Sequence, residues 1–178
     1  DPDYGVIEHL AAECRMPLCY GGGIKNSNQI EKIIGLGVEK VALSSGVMEK
    51  PEFVAQASKK FGSQSIVVVL DVRKNVRGNG YQVYTHNGRK ATGKNPLEMA
   101  KLVETLGAGE IVVNSIDRDG QMKGYDFELI REIKNVIHVP LTCLGGAGSL
   151  RDMGQLIHEY GTIGAAAGSL FVFKGVYR

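Results

Sequence analysis

Residues 18–24 read LCYGGGI, and residues 143–148 read CLGGAG. In both places an apolar run ends in clustered glycines. Glycine weakens the interior of a strand, so such a cluster at a strand end marks close approach of something to the backbone. The two stretches are in register. Cys143 follows Cys19 by 124 positions (143 − 19), and the same gapless offset lays Gly145 on Gly21, Gly146 on Gly22, Ile157 on Ile33, Gly161 on Gly37 and Ser169 on Ser45. Each copy reads as apolar strand, glycine turn, helix, short strand and a small-residue end, ALSS at 42–45 and AAGS at 166–169. A period this long is no solenoid repeat. It fits two halves of one closed architecture built from βα units, with chance likeness between two such units as the alternative.

Between the copies the alternation continues. SIVVVLDV (65–72) is solidly apolar, as expected of a strand buried on both faces in a parallel sheet, and EIVVNS (110–115) is another strand. Ser27 can cap a helix carrying Ile30, Ile33 and Ile34; Asn95-Pro96 opens a second, and Asp126 can cap a third. YQVYTHNGRKATG (81–93) alternates around Asn87-Gly88, which predicts a β-hairpin inserted on a loop after the third strand. Six strands are expected, near 17–20, 40–44, 65–71, 110–115, 139–144 and 163–167. Strands alternating with helices, with glycines and polar residues at strand C-termini, point to a (β/α)₈ TIM barrel. Six is not eight. The expectation is one partial barrel domain over residues 1–178, without its first two strands and the end of its last helix. An open doubly wound sheet is the alternative, and the half-repeat argues against it.

Bulk properties narrow the function. The chain has 178 residues and a formal net charge of +2 with both signs interspersed, which is no nucleic-acid footprint. No apolar run reaches the ~18 residues that cross a bilayer, and DPDYGVIEHL has no signal-peptide pattern. Cys14, Cys19 and Cys143 have no metal-ligand spacing and read as buried thiols of a reducing, cytoplasmic compartment. No histidine has a partner at ligand spacing, so neither metal nor cofactor is expected.

The glycines then acquire a purpose. Barrels of this class bind phosphate between the loops after their last two strands, where free N–H groups meet the anion. Here that site is Gly145–Gly148 with Gly168 and Ser169, and the earlier copy predicts an opposing site at Gly21–Gly23 with Ser44 and Ser45. Two sites imply an elongated substrate with a phosphate at each end. The plainer reading is that the glycines serve only tight turns and packing. Asp71 ends the apolar strand and is aimed into the barrel mouth, a candidate for proton transfer. Asp117, Asp119 and Gly120 follow the next strand as candidates for substrate contact, although acidic residues there often only cap helices.

GGGI, EKVALSS, FGSQSIVVVLDV, YTHNGRKATG, GAGEIVVNSIDRDG, GYDFELI, LGGAGS and AAAGSLF occur in this order along essentially the whole chain. In this the sequence resembles the cyclase subunit of imidazole glycerol phosphate synthase. The resemblance implies a barrel enzyme of the lyase/cyclase type acting in histidine biosynthesis. It would take ammonia from a glutaminase partner, close an imidazole ring on a bis-phosphorylated ribulosyl substrate, and split off an aminoimidazole carboxamide nucleotide. It implies that Asp71 is one of two catalytic aspartates, its partner lying on the first strand. It assigns phosphate contacts to Gly23, Ser44, Ser45, Gly146, Gly168 and Ser169, and substrate contacts to Asn114, Asp119 and Gly120. Gln64 falls near the ammonia route, and Lys40 and Glu110 match a charged ring around its entrance; the alternative for these two is solvated rim charges.

There are departures. Ser44-Ser45 stands where the family usually has Asn-Thr, Asn114 replaces a usual threonine, and FVF (171–173) lacks a usual histidine. Cys19-Tyr20 and AAAGSLFVFKGVYR resemble a paralogous branch that delivers ammonia to convert an acetamido sugar to an acetamidino sugar in surface-polysaccharide synthesis. Further alternatives are the sister phosphoribosyl isomerase and a non-catalytic phosphate-binding barrel fragment.

Overall fold

The hydrophobic spacing produces strands and helices in alternation. The computed structural model describes residues 1–75 and 80–173. Helix α1 (Tyr4–Glu13) leads into β1 (Cys19–Gly21), α2 (Ser27–Gly35) and β2 (Lys40–Leu43). Two helices follow, α3 (Ser45–Glu49) and α4 (Glu52–Phe61), and a single 3₁₀ turn at Ser63–Ser65 enters β3 (Ile66–Lys74). The hairpin β4 (Tyr81–Thr85) and β5 (Lys90–Ala91) precedes α5 (Pro96–Thr105) and β6 (Glu110–Ser115). The chain continues with α6 (Phe127–Lys134), β7 (Leu141–Leu144), α7 (Leu150–Tyr160), β8 (Gly164–Ala165) and α8 (Ser169–Val172).

The main strands pair in the order β1-β2-β3-β6-β7-β8, every neighbour parallel. This is a parallel arc with alternating helices, a (β/α)₈ barrel fragment. The 124-residue offset holds in three dimensions. β2 and β8 begin at Lys40 and Gly164, and α3 and α8 begin at Ser45 and Ser169.

Alternation within strands fixes which face is covered. Val41, Leu43, Ile66, Val68, Leu70, Ile111, Val113 and Leu141 are at most 3% exposed, lying beneath a helical layer that contributes Ile30, Ile33, Val54, Val103, Ile130 and Leu156. Burying each such side chain is worth roughly 1.5–3 kcal/mol. The opposite face carries Lys40, Ala42, Val69, Asp71, Glu110, Val112, Asn114, Thr142 and Leu144, all only half-buried, together with Val67, which is buried. The expectation of a strand buried on both faces holds for β3 over residues 66–68, whereas Val69 on β3 and Val112 on β6 are half-buried on the concave side. Among the described residues the arc ends at β1 and β8.

Local signals are mostly as read. Asn95 caps α5 by accepting from the Leu97 and Glu98 N–H groups at 2.8 and 3.3 Å, with Pro96 as first helical residue. Asp126 caps α6 through the Leu129 N–H at 3.2 Å. The cap of α2 is Asn26 rather than Ser27. Asn26 has extended backbone and accepts from the Gln29 N–H at 3.0 Å, which leaves Ser27 as the first helical residue. The hairpin is not a loop appendage. β4 pairs antiparallel with the end of β3, from Asp71↔Tyr84 to Lys74↔Tyr81, and its turn is left-handed at His86, Asn87 and Gly88. The cysteines also differ from expectation. Cys143 is buried, and burial pushes its thiol up to about 12, whereas Cys14 and Cys19 are exposed. No described helix is long and apolar enough to cross a membrane. The last five residues of AAAGSLFVFKGVYR, 174–178, lie outside the described residues.

Candidate active site

A parallel sheet delivers its strand C-termini to one side, so the loops after β1, β2, β3 and β6 meet there. Asp71 sits where β3 is paired on both edges: parallel to β6 through Asp71↔Asn114 and antiparallel to β4 through Asp71↔Tyr84. That register aims its carboxylate to the concave side. Asn114, opposite it on β6, donates from Nδ2 to Asp71 Oδ1 at 2.9 Å.

Asp71 lines a cleft of about 1010 Å³ together with Gly21, Gly22, Gly23, Ser44 and Ser45. These glycines are all exposed, and a Cβ on Gly22 would meet nothing within 4 Å. Gly22 and Gly23 have φ of 122° and 70°, a conformation that glycine adopts without strain. The structure thus brings together Asp71 and the whole first glycine–serine cluster. It also adds two residues outside the sequence-derived set, His86 and Asn87 at the hairpin tip. The His86 N–H donates to Ser45 Oγ at 3.4 Å, and its Nδ1 lies 3.0 Å from Thr85 Oγ1. The Asn-Gly hairpin signal is what could have found them, because β4 returns antiparallel over the end of β3.

The second cluster is differently placed. Gly145 and Gly146 are buried, with φ of 94° and 103°. A Cβ on Gly146 would overlap the Gly124 carbonyl, and one on Gly148 the Met122 carbonyl, both in the loop after β6. The Gly124 N–H donates to the Gly146 carbonyl at 2.8 Å. Close backbone packing therefore accounts for these glycines. Gly168 is exposed and Ser169 half-buried at the start of α8, beyond the end of β8, which pairs with β7. In the loop after β6, Asp119 and Gly120 are exposed, and Gly120 has φ of 75°. Asp117 is engaged elsewhere: it accepts from Arg73 Nε at 3.1 Å and the Lys74 N–H at 2.9 Å, fastening the end of β3.

At the opposite, N-terminal rim, Lys40 Nζ lies 2.6 Å from Glu110 Oε2, reaching across β3. Glu110 Oε1 accepts from the Thr142 hydroxyl at 2.8 Å, so the carboxylate is held at both oxygens. Gln64, exposed in the 3₁₀ turn before β3, stands on the same rim. Among the described residues no group of three or more His, Cys, Asp or Glu could hold a metal ion.

A half-repeated parallel βα arc with an acidic group beside glycine and serine turns at its strand ends defines a fragment of a (β/α)₈ barrel. The family model described as histidine biosynthesis protein matches residues 1–178, and the chain belongs to that family. A Vibrio vulnificus (strain YJ016) relative with the provisional name imidazole glycerol phosphate synthase subunit hisF3 is 53% identical over the whole chain, which covers 68% of its length. A Leptospira borgpetersenii relative, provisionally named imidazole glycerol phosphate synthase subunit HisF, is 52% identical over the whole chain and 70% of its own length. The imidazole glycerol phosphate synthase subunit HisF of Clostridium botulinum (strain Okra / Type B1) is 38% identical over 95% of this chain and 67% of its own length.

Proposed function

We propose that the chain is the ammonia-using cyclase subunit of an imidazole glycerol phosphate synthase. It closes the imidazole ring on a bis-phosphorylated ribulosyl aminoimidazole nucleotide and releases the aminoimidazole carboxamide nucleotide. A glutaminase subunit supplies the ammonia. The observation that carries this reading is that Asp71 shares one cleft with the exposed Gly22–Gly23 turn and the Ser44–Ser45 pair.

In this reading one phosphate of the substrate lies against Gly23, Ser44 and Ser45, whose N–H and O–H groups donate to it. The other is held beyond β7 by Gly168 and Ser169, with Asp119 and Gly120 along the substrate between. Asp71 then stands between two fixed ends and accepts a proton from the reacting nitrogen chain as the ring closes. Ammonia enters at the far rim past Lys40, Glu110 and Gln64. Turnover of the bis-phosphorylated nucleotide with ammonium salt tests the reading. Asp71→Asn, which keeps shape and removes the base, is expected to lower kcat at least about a hundredfold. An active Asn variant removes Asp71 from the chemistry.

One observation favours a second reading. Identity is 53% and 52% to relatives whose synthase names are provisional, and 38% to the HisF subunit of Clostridium botulinum, whose name carries no such qualifier. That agrees with a paralogous branch in which the same fold and ammonia serve the acetamido-to-acetamidino conversion of a sugar. Phosphate binding without turnover of the ribulosyl nucleotide would favour that branch.

A further inference from the structure

The side chain of Asn114 is unevenly satisfied. Its Nδ2 donates to Asp71 Oδ1 at 2.9 Å, while its Oδ1 is buried without a hydrogen-bond partner in the described residues. Leaving a buried polar atom unpaired is costly, so the amide's orientation needs a reason. Asp71 provides it. With the amide turned over, Oδ1 would face the carboxylate oxygen, and two acceptors would oppose each other. The amide is therefore oriented as a donor to Oδ1.

The surroundings hold the two side chains in this arrangement. Asp71 and Asn114 are register partners on adjacent parallel strands, which fixes their spacing through the backbone. Gly145 leaves room for the amide: a Cβ there would lie 3.1 Å from Asn114 Oδ1 and 2.5 Å from the Ser115 carbonyl oxygen. Asp71 Oδ2 has no protein partner among the described residues, and the residue lines the cleft.

We propose that Asn114 is a positioning residue for Asp71, occupying Oδ1 so that Oδ2 is the oxygen presented to the ligand. The inference rests on the reading of Asp71 as the proton-transfer group. A proton leaves an N–H or O–H of the substrate and binds Oδ2, and the same proton is later returned to the departing fragment. Asn114 neither gains nor loses an atom; its Nδ2–H bond to Oδ1 fixes the carboxylate plane throughout.

Two measurements on the full-length protein that contains these 178 residues test this. The Asn114 side-chain amide pair, assigned by its disappearance in Asn114→Leu, is followed by ¹⁵N NMR. In Asp71→Ala it is expected to shift and to exchange its protons about tenfold faster, the loss of one charge-assisted hydrogen bond. An unchanged amide signal overturns the proposal. In turnover assays Asn114→Leu is expected to lower kcat about tenfold or more, with KM and affinity for inorganic phosphate within about twofold, and Asn114→Thr, which restores a donor, to recover most of it. Equal losses in kcat and phosphate affinity, or no rescue by threonine, also overturn it. If the full-length protein binds inorganic phosphate but turns over no ribulosyl nucleotide, the cyclase reading fails, and the amide signal alone decides whether Asn114 holds Asp71.

Discussion

The glycine cluster after β1 and the one after β7 share a sequence pattern and a place in the repeat, yet they are used differently. Gly21–Gly23 are exposed on a cleft of about 1010 Å³. Gly145 and Gly146 are buried under the loop after β6, whose carbonyls occupy the space a side chain would need. Equivalent glycines can thus face an open cleft in one half and a neighbouring loop in the other. The cause is the segment that each cluster meets. The loop between β6 and α6 is long and folds onto the second cluster, sealed by the Gly124–Gly146 backbone bond. The first cluster is met instead by the hairpin tip, whose His86 N–H reaches only as far as Ser45.

The sharpest way to break this comparison is a pair of glycine substitutions. Gly146→Ala places a methyl group against the Gly124 carbonyl at a φ of 103°, so it adds a backbone clash to left-handed strain. It is expected to cost about 3 kcal/mol or more in urea unfolding. Gly22→Ala meets nothing within 4 Å and suffers the strain alone. It is expected to cost about 1 kcal/mol while weakening binding of inorganic phosphate. Equal destabilisation by both would show that the first cluster is also a packing device.

A second contrast concerns how each half is tied at its strand entrance. Ahead of β1, the exposed Glu39 accepts one N–H, from Leu18 at 2.5 Å. Ahead of β7, the half-buried Glu104 accepts two, from His138 at 2.5 Å and Val139 at 2.8 Å. Burial raises the Glu104 carboxyl, but the two backbone donors and the adjacent His138 ring outweigh it and hold the group below the usual carboxylate range. Glu104→Gln is therefore expected to cost about 1–2 kcal/mol at neutral pH, and Glu39→Gln no more than about 0.5. The sign with pH comes from linkage. Stability from a lowered carboxyl is fully present above the unfolded value of about 4.3, and is lost as pH falls through the lower folded value. Acid titration of the unfolding midpoint should show that loss in the wild type and a smaller one in Glu104→Gln.

Much of the fold and half of the site are legible in the sequence, and the remainder escapes it for a common cause. The runs IVVVL and EIVV are too apolar for anything but strands under helices, and Asn95-Pro96 and Asp126 announce their helices by local chemistry alone. The 124-residue offset reveals the repeat because equivalent βα units need glycines at equivalent turns. Asp71 and the Ser44–Ser45 pair can be placed on one side because parallel strands share a direction, although β3 runs on past Asp71 to Lys74 where the hairpin pairs with it. The misreadings all depend on contacts distant in sequence. Whether Gly146 is covered depends on residue 124, whether Cys19 is buried depends on what flanks β1, and whether Val69 and Val112 are enclosed depends on closure of the arc. His86 and Asn87 escape notice because their position comes from antiparallel register with β3, which periodicity does not report.

The smallest effect expected is at the N-terminal rim, where both halves meet. Lys40 begins β2 and Glu110 begins β6, and their side chains are 41% and 18% exposed. Water already solvates the ammonium, so the ion pair itself contributes little, and a double-mutant cycle of Lys40→Met with Glu110→Gln should give a coupling of about 0.5–1 kcal/mol. The two single variants should differ. Lys40→Met leaves Glu110 with its Thr142 hydrogen bond, while Glu110→Gln disturbs both contacts at once, so Glu110→Gln should be the more destabilising. A coupling of several kcal/mol would mean that the rim is a rigid buried brace; a small one leaves the pair free to part without cost to the fold, as the proposed ammonia entrance requires.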